Sequence, residues 1–240
     1  MKAARIWSLT LGLMVATQLT VLTRSTAAGS PETSLALTIH IHNNAEVADK
    51  TLAEAEKVAT EIFGKAGVES RWIDGRLTSE KDQGNLVDQG SFPLSHIWVK
   101  IYTRSMAERF SLPSGVMGFA PGTERNRQVV YVFYNRVEAL ARSQVKARFE
   151  GSGRTPATIA QVLGHAIAHE LGHVLLNIAS HSATGIMRGD WNLKDLQDVA
   201  YGSLLFTSEQ AEVIRAEVRR RVGQQAASEV AGRESPKSAR

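Results

Sequence analysis

The chain of 240 residues has no cysteine. This excludes a disulfide framework, a thiol nucleophile, a cysteine-rich zinc site and a lipidated N-terminal cysteine. Any metal must therefore be held by His, Asp or Glu. Charge of one sign is also scarce. The formal net charge is +4 from 28 basic and 24 acidic residues, and residues 1–28 hold Lys2, Arg5 and Arg24 with no acid, leaving 25 − 24 = +1 for the rest. A body so close to neutrality offers no electrostatic footprint for nucleic acid. Internal repeats are missing, and the longest apolar run, Ile6 to Leu22, is broken by Ser8, Thr10, Thr17, Gln18 and Thr20. With 43% apolar and 22% charged residues, the composition excludes a wholly disordered chain, a collagen and a polytopic membrane protein.

The two ends differ from the middle. A basic head (Met1 to Arg5), the apolar run and the small residues Thr26-Ala27-Ala28 read as a secretory signal peptide over residues 1–28. The expected location is secreted or periplasmic, the alternative being an uncleaved outward-facing N-terminal anchor. Residues 223–240 are rich in Ala, Ser, Gly and charge without apolar periodicity, and read as a disordered basic tail. Arg219, Arg220 and Arg221 before it read as the solvated end of a helix.

Residues 35–222 read as one domain. Strands are expected at Leu35 to Ile41, Val68 to Ile73, His96 to Tyr102 and Val129 to Phe133. A helix capped by Asn44 carries Leu52, Ala55, Ala59, Ile62 and Phe63 at helical spacing. Further helices are expected from about Arg136 to Arg148, from Thr155 (N-cap) and Pro156 to about Asn177, and from Ser208 to Val222 behind a Thr207-to-Gln210 capping box. The residues between Leu77 and Phe92 read as a polar loop. The order β, α, β, β, β, α, α, α predicts an α+β fold: a mixed sheet with helices packed on it.

The third of those helices is apolar on nearly every side, so it is expected to be buried. A stripe of Ala157, Ala160, Gly164, Ala168 and Gly172 suits close packing. Inside it sits His169-Glu170-Leu171-Gly172-His173. Two His four residues apart share a helical face about 6 Å apart along the axis, a spacing that lets two imidazoles meet one Zn²⁺. Glu170, one residue round, can flank the metal without ligating it. Ionisable groups on a buried helix also need a compensating partner, and a metal is one. His165 lies a turn earlier; the outer His would be about 12 Å apart, so it reads as a neighbour of the site.

A catalytic zinc takes a third protein ligand and keeps an open position. His181 is the leading candidate, because Asn177 tolerates the left-handed conformation that would end the helix and turn the chain back. Glu209 or Glu212 on the last helix is the rival, as in two-His-one-Glu sites.

The run His169-Glu170-Leu171-Gly172-His173-Val174-Leu175-Leu176-Asn177-Ile178-Ala179-Ser180-His181, followed by Ser182-Ala183-Thr184-Gly185-Ile186-Met187, resembles the zincin metallopeptidases, and within them the metzincins, most nearly a compact matrixin-like domain. The resemblance implies a zincin-like twisted mixed sheet with a buried active-site helix, an edge strand and a C-terminal helix. It implies zinc held by His169, His173 and His181, Glu170 as general base, and Met187 in the turn beneath the metal. Two features depart from the family signature. Seven residues separate the second and third His where the signature has five, and Leu176 stands in place of its Gly. Gly118-Phe119-Ala120-Pro121-Gly122 is similar to the family's edge strand, which pairs with extended peptide substrate, and Thr207 to Ala216 to its final helix. The cysteine-switch latency of matrixins is impossible without a cysteine.

The expected function is thus that of a secreted zinc-dependent peptidase acting on protein or peptide substrate. Tyr201 is a candidate oxyanion stabiliser. Two rivals remain: a zinc hydrolase or amidase acting on a non-protein amide, and a non-catalytic secreted module whose structural zinc would be closed by a fourth protein ligand such as Asp190 or His165.

Overall fold

The computed structural model describes residues 35–75, 93–113, 115–121, 128–147 and 155–234. The signal-peptide segment, the polar loop after residue 76 and the last six residues lie outside them. The elements run β1 (Ala36–Asn43), α1 (Asp49–Lys65), β2 (Glu69–Asp74), β3 (His96–Tyr102), the short α2 (Arg104–Ala107), β4 (Gly118–Phe119), β5 (Val129–Phe133), α3 (Tyr134–Ala147), α4 (Ile159–Leu176), α5 (Leu193–Tyr201) and α6 (Ser208–Glu234). Five strands form one mixed sheet in the order β2-β1-β3-β5-β4, so the α+β expectation holds. Pairings among β2, β1, β3 and β5 are parallel, and β4 alone runs antiparallel, against β5. A parallel neighbour needs a crossover, which α1 supplies between β1 and β2.

Register decides which residues meet the helices. Ile39 pairs Ile97 and Trp72, Val99 pairs Val130, and Ile101 pairs Val132, so these side chains share one face of the sheet. That face is the core: Leu37, Ile39, Ile97, Val99, Ile101, Val130 and Val132 have no exposed surface. Trp72 reaches from it to α1, donating to Thr60 Oγ1 at 2.8 Å. Small residues let α4 come close. A methyl added at Gly164 would stand 2.6 Å from the Ala55 carbonyl oxygen and 2.7 Å from Val58 Cβ, both on α1. Gly164→Ala should therefore lower the unfolding free energy, read from denaturant melts, by about 1–3 kcal/mol through overpacking. Gly223→Ala in α6 meets open space and should raise it by up to ~1 kcal/mol through helix propensity.

The structure corrects several boundaries. β1 continues through Asn43, whose side chain accepts from Val47 N–H at 2.9 Å and donates to Val47 O at 2.8 Å. It closes a loop there, and α1 begins at Asp49 rather than after Asn44. Helix α4 begins at Ile159, not Pro156, because Thr158 and Gln161 form a reciprocal capping box that satisfies two end donors at once. Helix α5 was not foreseen; its signal is the Asn192 and Asp195 box, closed by Gly202 at φ 67°.

The tail expectation is corrected as well. Helix α6 opens on the Thr207 and Gln210 box and runs on to Glu234, through residues read as disordered. Residues Gln224 to Ala227 are acceptable helix formers and extend a helix already nucleated and docked. Nor is the basic run wholly solvated. Arg221 is buried, bonding Glu217 at 2.7 Å and donating to the carbonyls of Leu94 and Val174. Arg215 likewise donates to Ala66 O at 3.0 Å. Among the described residues no helix is long and apolar enough to cross a membrane.

On the other face of the sheet His40 is buried, stacked on Trp98 with ring centroids 4.8 Å apart and 2.9 Å from His96 Nδ1 through its Nε2. Burial, then the neighbouring His96 and His42, lower its pKa to about 4. Unfolded, the same imidazole titrates near 6.5. Between those values the unfolded chain holds the extra proton, so stability falls as pH drops through the window. The loss of urea midpoint from pH 7 to pH 5 should be smaller in His40→Gln than in the parent protein.

Candidate metal centre and cleft

Helix α4 ends at Leu176, and Asn177 takes the left-handed conformation at φ 53°. The chain then folds back under the helix. His181 returns to the two helical His: its ring centroid is 5.3 Å from that of His169 and 5.0 Å from that of His173. One ligand nitrogen from each of the three lies within 4.8 Å of the others, an arrangement that can hold a metal ion. His169 is buried, His173 half-buried and His181 exposed, so the group opens to solvent on one side.

Backbone carbonyls orient the rings. His169 Nδ1 donates to Ile186 O at 2.7 Å and His173 Nδ1 donates to Ile178 O at 2.9 Å. With the proton fixed on Nδ1, each neutral ring presents a bare Nε2 lone pair. The two Nε2 atoms lie 3.1 Å apart. With those tautomers neither can donate to the other, and a bound cation could bridge them. Protonation is disfavoured: burial, with the nearby His173 and His181, lowers the pKa of His169 to about 4, and burial lowers that of His173. The spacing also suits an ion, since tetrahedral bonds of about 2.0–2.1 Å separate ligand nitrogens by about 3.3 Å.

Met187 has no exposed surface and packs against the helix where Gly172 leaves room; a methyl at Gly172 would stand 2.5 Å from Met187 Sδ. Gly189 gives His181 its space in the same way, its added methyl standing 3.0 Å from the ring.

Glu170 points from α4 toward β4. A methyl at Gly118 would lie 2.8 Å from Glu170 Oε1 and 2.5 Å from Tyr131 O, so only glycine lets the strand pass this close. Glu170 is buried, and its Oε2 has no hydrogen-bond partner among the described residues. Burial raises its pKa to about 8. A buried carboxyl oxygen without a partner, on a residue that lines a cleft, marks a candidate functional group. The cleft, about 290 Å³, is lined by Met117, Gly118, Phe119, Arg188 and Trp191 together with the three His and Glu170.

The other candidates fall elsewhere. His165 is fully buried and donates from Nδ1 to Gln161 O at 2.8 Å. Together with Tyr201, which is 69% exposed, it lines a separate depression. Glu209 and Glu212 are exposed on α6 and join no ligand group among the described residues. Asp190 lines the cleft at its exposed rim but is not in the His group. Sequence reasoning missed Arg188 and Trp191 as cleft residues and the carbonyls of Ile178 and Ile186 as ring holders. Only their nearness to Met187 could have pointed to them. Compared with models of known protein families and with curated protein sequences, the chain matches none.

Proposed function

We propose that this protein is a zinc-dependent peptidase with His169, His173 and His181 as metal ligands and Glu170 as general base. The observation that carries the reading is the pair of carbonyl-locked imidazoles whose bare Nε2 atoms face each other 3.1 Å apart beside a buried, unpartnered carboxyl. Three neutral nitrogen ligands suit zinc among the divalent ions, and no fourth protein ligand joins the group among the described residues. That favours a catalytic over a structural site. When bound, such an ion lowers the pKa of coordinated water to about 7 and polarises a carbonyl.

The remaining work falls to the chain. Glu170 takes the proton of the attacking water on its unpartnered Oε2 and passes it to the leaving amine nitrogen. Among the described residues strand β4 is the outermost of the sheet, beside the cleft, and an extended peptide can pair along it. A peptide is therefore the favoured substrate over a compact non-protein amide. The test is hydrolysis of casein by the purified protein. Activity should vanish on chelation and return with zinc; activity indifferent to chelation, or none after zinc loading, would reject the proposal.

A further inference from the structure

We propose that Arg188 is the specificity-determining residue of this cleft and binds a carboxylate of the substrate beside the scissile bond; the inference rests on the peptidase reading above. Several other arginines of the fold are spent on the protein itself. Arg136 donates to the carbonyls of Leu112, Pro113 and Val116, and Arg221 to those of Leu94 and Val174. Arg188 differs. It follows Met187, lines the cleft and keeps 39% of its side chain exposed. None of its side-chain N–H groups makes a hydrogen bond among the described residues. Its one partner is Asp195 Oδ2, 3.5 Å from Nη1, and that oxygen already accepts from Asn192 N–H at 2.8 Å.

Asp195 is buried, so this contact anchors the guanidinium without using up its donors. A planar fork with unused N–H groups, tethered to Asp195 and lining the cleft, is built for bidentate recognition of a carboxylate. The opposing charge is Asp190, exposed at the rim of the same cleft. With Arg188 neutralised, nothing among the described residues of the cleft beside Asp190 would favour an acid.

The carboxylate can come from an Asp or Glu side chain or from a peptide C-terminus, and the experiment separates these. Casein digested by the zinc-loaded protein is mapped by mass spectrometry. Matched peptides are then compared with Glu or Gln flanking the cut, and with a free or amidated C-terminus. The parent protein should favour the carboxylate in one of these arms by about tenfold to a hundredfold in kcat/KM. Arg188→Gln should bring the ratio near one, and Arg188→Lys should restore part of it. A readout without turnover is calorimetric binding of a succinyl hydroxamate with a free carboxylate against its carboxamide counterpart. Preference for the carboxylate in the parent, lost in Arg188→Gln, supports the assignment. Equal binding and equal cleavage in the parent, or a preference that survives in Arg188→Gln, overturns it and leaves the peptidase standing. Failure of both hydroxamates to bind, with no peptide cut, overturns both.

Discussion

Glu170→Gln should leave the protein folded and able to bind one zinc, yet hydrolyse peptide about 10²–10⁴-fold more slowly. The side chain is buried and its Oε2 has no partner, so the amide fits the same space without breaking a hydrogen bond. Loss of rate therefore reports lost proton transfer and not lost structure. If anything the fold should tighten slightly in the metal-free form, because an uncharged amide avoids the desolvation that raises the pKa of the acid to about 8. Steady-state kinetics with a zinc determination on the same sample checks this. A variant as fast as the parent would remove Glu170 from the base role and favour a structural metal.

His181→Ala should weaken zinc binding by several orders of magnitude, since it removes one of three protein ligands. His169→Ala and His173→Ala should do the same. Glu209→Ala and Glu212→Ala should leave affinity unchanged, because both are exposed on α6 and outside the ligand group. Competition against a chromophoric chelator measures all five. Zinc also stabilises the state that binds it, so the parent should gain about 4 kcal/mol at a thousandfold excess over Kd, and the three His variants far less. Full affinity in His181→Ala with loss in either Glu variant would reassign the third ligand.

The parts legible from sequence are those with local causes. An apolar pattern on all sides marked α4 as buried, and the four-residue spacing placed His169 and His173 on one face. The Thr207 and Gln210 box marked the start of α6. What escaped depends on distant partners or on competition between equal signals. Gly118 lies against Glu170, 52 residues later in the chain, and nothing local in either segment records it. Thr155-Pro156 and Thr158 with Gln161 are both sound helix starts, and the reciprocal box prevailed. Arg221 reads as a surface cation until the carbonyls of Leu94 and Val174 are brought to it. Asn43 and Asn44 are alike in composition, and only the turn back to Val47 distinguishes them.

The central claim is that one metal ion at the His169, His173 and His181 group makes this chain a hydrolase. Its most direct test is to titrate the metal-free protein with zinc while following casein hydrolysis. The rate should climb linearly and break at one equivalent per chain, with the same titration of Glu170→Gln binding zinc and staying near baseline. A rate independent of zinc, or a full equivalent bound with no hydrolysis in the parent, would contradict it.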